Sequence, residues 1–132
     1  MYEALNCGFF VFHTVFVLFV LSGWLWRLTR PCHLAACILT AFSWGVLGLR
    51  YGFGYCPFTD WHWRVRVQLG EGDMPRSYLK FLLDKITGLD FDAGLVDTSA
   101  IVVFAVVSAI SLICCVRDWR RKQNSHVTGD CP

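Results

Sequence analysis

The chain has no HExxH helix, no glycine-rich loop of the phosphate-cradling type and no CxxC pair. These absences leave no signature of a zinc hydrolase, a nucleotide-triphosphate enzyme or a dithiol and zinc-ribbon site. No nucleophile and base stand at a recognisable catalytic spacing, and no internal repeat is present. Charge is also missing where it matters most. Gly8–Trp26 and Thr98–Val116 contain no Asp, Glu, Lys or Arg, and His33–Tyr51 contains only Arg50, at its end. The leading residues Met1–Cys7 carry Glu3 but no Lys or Arg, so they lack the basic start of a cleaved secretory signal. The first apolar stretch is therefore expected to be retained.

What is present is an excess of apolar residues. Of 132 residues, 55% are hydrophobic, and the mean hydropathy is +0.47, above a typical soluble domain, which is roughly half apolar or less. The excess sits in the three stretches named above. Each is close to the ~20 residues that cross a hydrocarbon core of about 30 Å. Each is apolar nearly all round, whereas the helices of a soluble bundle keep a polar face. The expected fold class is an all-α integral membrane protein of one domain, residues 1–122. Its spans are placed at about 8–26, 33–51 and 98–116, with an amphipathic helical segment at 52–97 and a disordered tail at 123–132.

The net charge of +2 gives no sign of a nucleic-acid partner, and none is expected. The position of the charges orients the chain. Arg27 and Arg30 follow the first span, and Arg117, Arg120, Arg121 and Lys122 follow the third. Basic residues in short loops favour the cytoplasm. The N-terminus and the 52–97 segment are thus expected outside and the C-terminus inside. Arg50 can snorkel from the end of its span. Cys37, Cys114 and Cys115 lie within spans as small apolar residues. Acylation of Cys114 and Cys115 near the cytoplasmic face is the rival reading. Cys32 and Cys131 fall on the reducing side, and Cys7 and Cys56 share the outer side, where one disulfide is conceivable.

Pro31 breaks the chain between the first two spans, which forces an antiparallel hairpin. His33 at the start of the second span reads as an interfacial residue capping that turn. Ala41, Gly45, Gly48 and Gly52 recur at helical spacing, a small-residue face for close helix packing. A short helix is predicted over about 59–69 and another from Pro75 to about Thr87, stopped by Gly88. The second is amphipathic, with Lys80 and Asp84 one turn apart. Asp97 and Thr98 are the expected caps of the last span.

The residues most able to carry chemistry are His13, Arg50, Cys56, Thr59, Asp60, His62 and Arg66. A histidine inside a span faces protein or a cavity rather than lipid. His13 and the run Tyr51–Arg66 fall on the same half of the expected membrane and can line one shallow polar site. Within a short helix, Asp60 would meet Arg64 and His62 would meet Arg66. The bland alternative is a plug of caps, ion pairs and aromatic anchors. No metal is assigned. Haem or a quinone near His13 and the Cys56–Arg66 segment is the cofactor alternative.

Several of these pieces together resemble the DUF2784 family of small, uncharacterised bacterial membrane proteins. They are HTVFVLFVLSG from His13, HLAA from His33, WGVLG from Trp44, CPFT from Cys56, Arg66 with Gly70, and YLKFLL from Tyr78. One position departs: the acidic residue that follows the family's Cys-Pro box falls at His62 here, with Asp60 two places earlier. The resemblance implies an inner-membrane helical protein and supplies no activity. The expected partners are the lipid bilayer and other membrane subunits or further copies of the chain. The expected role is that of a non-enzymatic accessory or structural subunit, and the alternative is a haem- or quinone-binding redox protein.

Overall fold

The computed structural model describes residues 1–52, 54–72, 74–75 and 77–128, with side chains as far as 124. All its regular structure is helical, and no strand occurs among the described residues. The chain runs through α1 (Tyr2–Ser22), α2 (Arg30–Phe42), a π-turn (Ser43–Leu47), α3 (Gly48–Tyr51), α4 (Pro57–Gln68), α5 (Tyr78–Thr87) and α6 (Ala93–Thr128). Three helices are long and apolar enough to cross a membrane: Tyr2–Ser22, Arg30–Tyr51 and Ala93–Asn124, with mean hydropathies of 2.1, 1.7 and 2.7. Val11, Val15 and Leu18 of α1, Ile38 and Leu39 of α2, and Val102, Val106 and Ile113 of α6 all point outward. Apolar surface on this scale fits a hydrocarbon surrounding rather than water.

The helix ends differ from expectation for local reasons. α1 starts at Tyr2, not at residue 8, because Glu3 suits the positive end of a helix dipole. It stops at Ser22, so Trp24 and Trp26 stand in the turn. α6 starts at Ala93, five residues before Thr98. The cap is Asp92, whose Oδ2 accepts the Leu95 amide at 2.8 Å, and neither Asp97 nor Thr98 serves as one. At its other end α6 runs on to Thr128, so residues 123–128 continue the helix instead of opening a tail. Arg, Lys and Gln in 120–123 are good helix formers, and cations favour a helix C-terminus. Residues 129–132, Cys131 among them, lie outside the described residues. Two short helices form, α4 from Pro57 rather than Thr59 and α5 from Tyr78 rather than Pro75, with Pro57 in the first turn of α4 and Gly88 left-handed (φ 70°) at the end of α5.

α2 packs chiefly on α6, and α1 on α4. The π-turn lets Trp44 tilt against Phe104 of α6, with ring centroids 5.1 Å apart, and Ser43 Oγ donates to the Tyr55 carbonyl at 2.8 Å. One extra residue per turn also re-phases the small residues on either side of it. Ala41 and Gly45 face outward, Gly48 is buried, and Gly52 ends α3 at φ 103°, a backbone shape that favours glycine.

The three spans meet at His33. It is fully buried, not interfacial. Its Nε2–H donates to the Val20 carbonyl of α1 at 2.8 Å, and its Nδ1 accepts from Ser111 Oγ of α6 at 2.9 Å. Val20 lies among the last carbonyls of α1, which lack helical partners. The histidine therefore caps α1 from within the core. The rest of that end is closed by Thr29 Oγ1 on Gly23 O (2.6 Å) and Arg30 Nε on Trp24 O (3.0 Å). Gly23 makes the close approach possible: a Cβ there would stand 2.8 Å from His33 Cδ2 and 2.8 Å from Phe19 O.

Two substitutions test this junction by unfolding in detergent. Gly23→Ala is expected to destabilise by ~1–3 kcal/mol through overpacking. His33→Ala is expected to cost at least as much, because Val20 O and Ser111 Oγ are left buried without this partner. Unchanged melting in either variant would dissolve the claim that the junction holds the spans.

Candidate functional site

The second polar concentration lies at the opposite end, where α4 and α5 fold against the first half of α1. Cys56, the residue before α4, and Pro57 turn the chain inward, and the helix then brings Thr59 and His62 to its buried face. His13 sits in α1 opposite them. His13 Nε2 lies 3.5 Å from Thr59 Oγ1 and 4.0 Å from Cys56 Sγ, contacts at the long edge of hydrogen bonding. His62 is fully buried, and its Nε2–H donates to Asn6 Oδ1 of α1 at 2.7 Å. Tyr78, the first residue of α5, stacks on the His13 ring at 4.0 Å between centroids. Its hydroxyl donates to Phe10 O at 3.1 Å and lies 3.3 Å from Thr14 Oγ1.

Aromatic rings fill the remaining space. Phe9 and Trp63 stack on His62 at 5.7 and 5.3 Å, and Phe81 meets it edge-on at 6.2 Å. The apolar face of α5 supplies Tyr78, Phe81 and Leu82, packed with Phe10 and Trp63. Cations close the outside. The Arg66 guanidinium lies over Phe81 at 4.4 Å and pairs with Glu71, and Lys85 Nζ lies over Phe10 at 5.0 Å. Lys80 binds Asp84 (2.7 Å), Asp90 (2.5 Å) and the Phe91 carbonyl (2.7 Å), which pins the loop leading to α6. That pairing holds the Asp84 carboxyl below its ordinary range.

These contacts gather four of the sequence candidates: His13, Cys56, Thr59 and His62. Asp60 stays outside and pairs with Arg64 at 3.0 Å, as its spacing predicts. Arg66 does not bond His62, because its guanidinium is drawn to Glu71, Met74 and the rings. Arg50 is exposed near the end of α3 and joins none of these hydrogen bonds. Cys7 and Cys56 are both free thiols, so the conceivable disulfide is not formed. Asn6, Thr14 and Tyr78 also belong to the cluster, and no spacing or motif in the sequence marks them as site residues: Asn6 precedes the first charge-free run, and Tyr78 lies in an amphipathic helix.

Electrostatics keep His62 neutral. Burial, then the charges of Arg66 and Lys85, lower its pKa from 6.5 to about 4. The neutral ring has one N–H, used on Asn6. His62 Nδ1 and His13 Nδ1 are buried and have no hydrogen-bond partner. No group of three or more His, Cys, Asp or Glu suited to a metal occurs among the described residues. The cluster can hold helices together and can present two imidazole nitrogens to a hydrogen-bond donor.

A family model described as "Protein of Unknown function (DUF2784)" matches residues 3–116, most of the chain. No curated protein and no solved structure matches it.

The His62 environment sets a pH dependence. Below 6.5 the unfolded imidazole takes up a proton that the folded one refuses until about 4. Stability contributed here is complete above pH 6.5 and declines as the pH falls toward 4, by up to roughly 1.4 kcal/mol per unit. His62→Gln is expected to flatten the stability–pH curve in that window relative to the parent. Parallel curves would remove His62 as the group responsible. Tyr78→Phe is expected to cost about 1 kcal/mol, from the lost bond to Phe10 O, read by thermal unfolding.

Proposed function

The chain belongs to the DUF2784 family, and we propose that this member is a non-enzymatic accessory subunit of a membrane protein complex, seated in a bacterial inner membrane with its C-terminus in the cytoplasm. The observation that carries the reading is the closed packing at His13 and His62. Both Nε2 atoms face protein partners, aromatic rings stack on both imidazoles, and the adjacent hydroxyls of Thr14 and Tyr78 are turned to the Phe10 carbonyl. The polar groups are used in fixing α4 and α5 to α1. Such a cap gives the outer end of the bundle a set shape, which is what a partner needs to dock. The outward-facing Ala41 and Gly45 fit close approach by a helix of another chain or a second copy. The six cations at 117–122 and in the 27–30 turn support the inside assignment of that end.

A second reading has its own observation. The two buried Nδ1 atoms without partners are where a quinone hydroxyl or a haem iron would bind. Ligation by haem would require the Tyr78, Phe9 and Trp63 rings to move aside.

One preparation separates the two readings. The full chain is purified in mild detergent from its native membranes, and its absorption spectrum and co-purifying proteins are recorded. The accessory reading expects a colourless protein accompanied by membrane partners in fixed ratio. A chromophore that vanishes in His13→Ala or His62→Ala replaces it with the redox reading. A colourless chain arriving alone counts against both.

A further inference from the structure

The arginine-rich end of the bundle carries a cavity that the packing at His33 leaves open. It has a volume of about 190 Å³ and is lined by Arg27, Arg30, Cys114, Arg117, Asp118 and Arg121. That is several times the ~30 Å³ share of one water molecule in the liquid. Two elements build it. The turn after α1 supplies Arg27 and Arg30, and α6 supplies residues 114, 117, 118 and 121, which the helical repeat places on one face.

Charge in this cavity is unbalanced. Four arginines meet one carboxylate, a formal excess of three positive charges. Asp118 is held by Arg30 at 2.7 Å and by Arg27 at 3.4 Å. This fixes the two turn arginines, and Arg30 is further fixed by its bond to Trp24 O. Arg117 and Arg121 border the same space with no ion pair among the described residues. Planar guanidinium forks converging from two elements suit a phosphoryl oxygen cluster better than a single carboxylate. Depth points to the source of that phosphate. Trp26 and Trp119 are both exposed, at 61% each, beside the cavity in sequence. Indole rings at a span's end mark the headgroup level. Basic pockets between transmembrane helices at this level take anionic headgroups.

We propose that this cavity binds the phosphodiester headgroup of an anionic phospholipid, with Arg117 and Arg121 as the principal ligands and Asp118 holding Arg27 and Arg30 in place. The site rests on the membrane part of the reading above, not on the accessory role. The excess of three positive charges favours a headgroup with net negative charge over a zwitterionic one, and Asp118 serves position alone.

The test uses the full chain in neutral detergent and native mass spectrometry with three probes: phosphatidylglycerol, phosphatidylcholine and inorganic phosphate. The parent is expected to retain phosphatidylglycerol and neither of the others. Arg117→Gln and Arg121→Gln are each expected to weaken that binding roughly fivefold, the equivalent of ~1 kcal/mol per cation at a membrane surface. Arg120→Gln removes the same charge outside the cavity lining and is expected to change it less than twofold. Equal loss in all three variants would reduce the site to diffuse surface charge and overturn the proposal. Retention of inorganic phosphate with equal strength would overturn the lipid assignment in favour of a free-anion site. No phosphatidylglycerol retention by the parent would overturn it outright. Flotation of each variant with lipid vesicles reads membrane insertion separately, so loss of headgroup binding in a floating protein is distinguished from failure of the membrane reading.

Discussion

A backbone carbonyl shut away from water must find a donor, and the bundle depends on how one of them does. Val20 O stands at the end of α1 with no partner in its own helix, and His33 of α2 supplies the N–H. The same ring then accepts from Ser111 of α6. One side chain therefore caps a helix, sets the α1–α2 hairpin and docks α6. Gly23 follows from this, because the ring occupies the space its Cβ would take. So does the adjacent turn, where Thr29 and Arg30 close the next carbonyls and Arg30 goes on to Asp118.

The other end solves a different problem. There, two short helices must be held to a span whose outer surface is apolar. Apolar burial by Tyr78, Phe81 and Leu82 supplies the contact, and buried polar pairs give it direction. His62 bonds Asn6, and the Tyr78 hydroxyl reaches Phe10 O and Thr14, so both polar contacts tie the short helices to one stretch of α1. Arg66 and Lys85 lie over aromatic faces, so their charges stay near the surface while their stems cover the core.

Much of this was legible in the sequence. Charge-free runs of span length place the three long helices, and Gly88 marks the stop of α5, whereas Pro75, expected to open that helix, stands three residues before its start. The gathering of His13, Cys56, Thr59 and His62 also follows from their common half of the chain's expected path. Helix ends are less legible, because Asn6 and Asp92 fall outside the charge-free runs, where nothing in the pattern marks the one as a half-buried partner and the other as a cap. The role of His33 was hidden for another reason. Periodicity ranks faces by hydropathy, and a histidine in a turn next to Pro31 scores as polar surface. Its partners Val20 and Ser111 are remote in sequence, and one of them offers only its backbone. Tyr78 was obscured likewise: as one apolar residue in a stripe, it gave no sign that its hydroxyl reaches α1.

The length of α6 has a mechanical meaning. The apolar helix Ala93–Asn124 has 32 residues, and α1 has 21. At ~1.5 Å per residue these are rods of about 48 and 32 Å. The shorter matches a hydrocarbon core, and the longer matches a whole bilayer with its headgroups. Asp118 grips the turn after α1 near one end of α6, and the Lys80 network pins the loop just before the other. A long strut held at both ends against a short one cannot tilt independently of it. In such a frame α1 and α6 turn as one body, and any change in the angle of one is carried to the other through the Asp118 and Lys80 contacts.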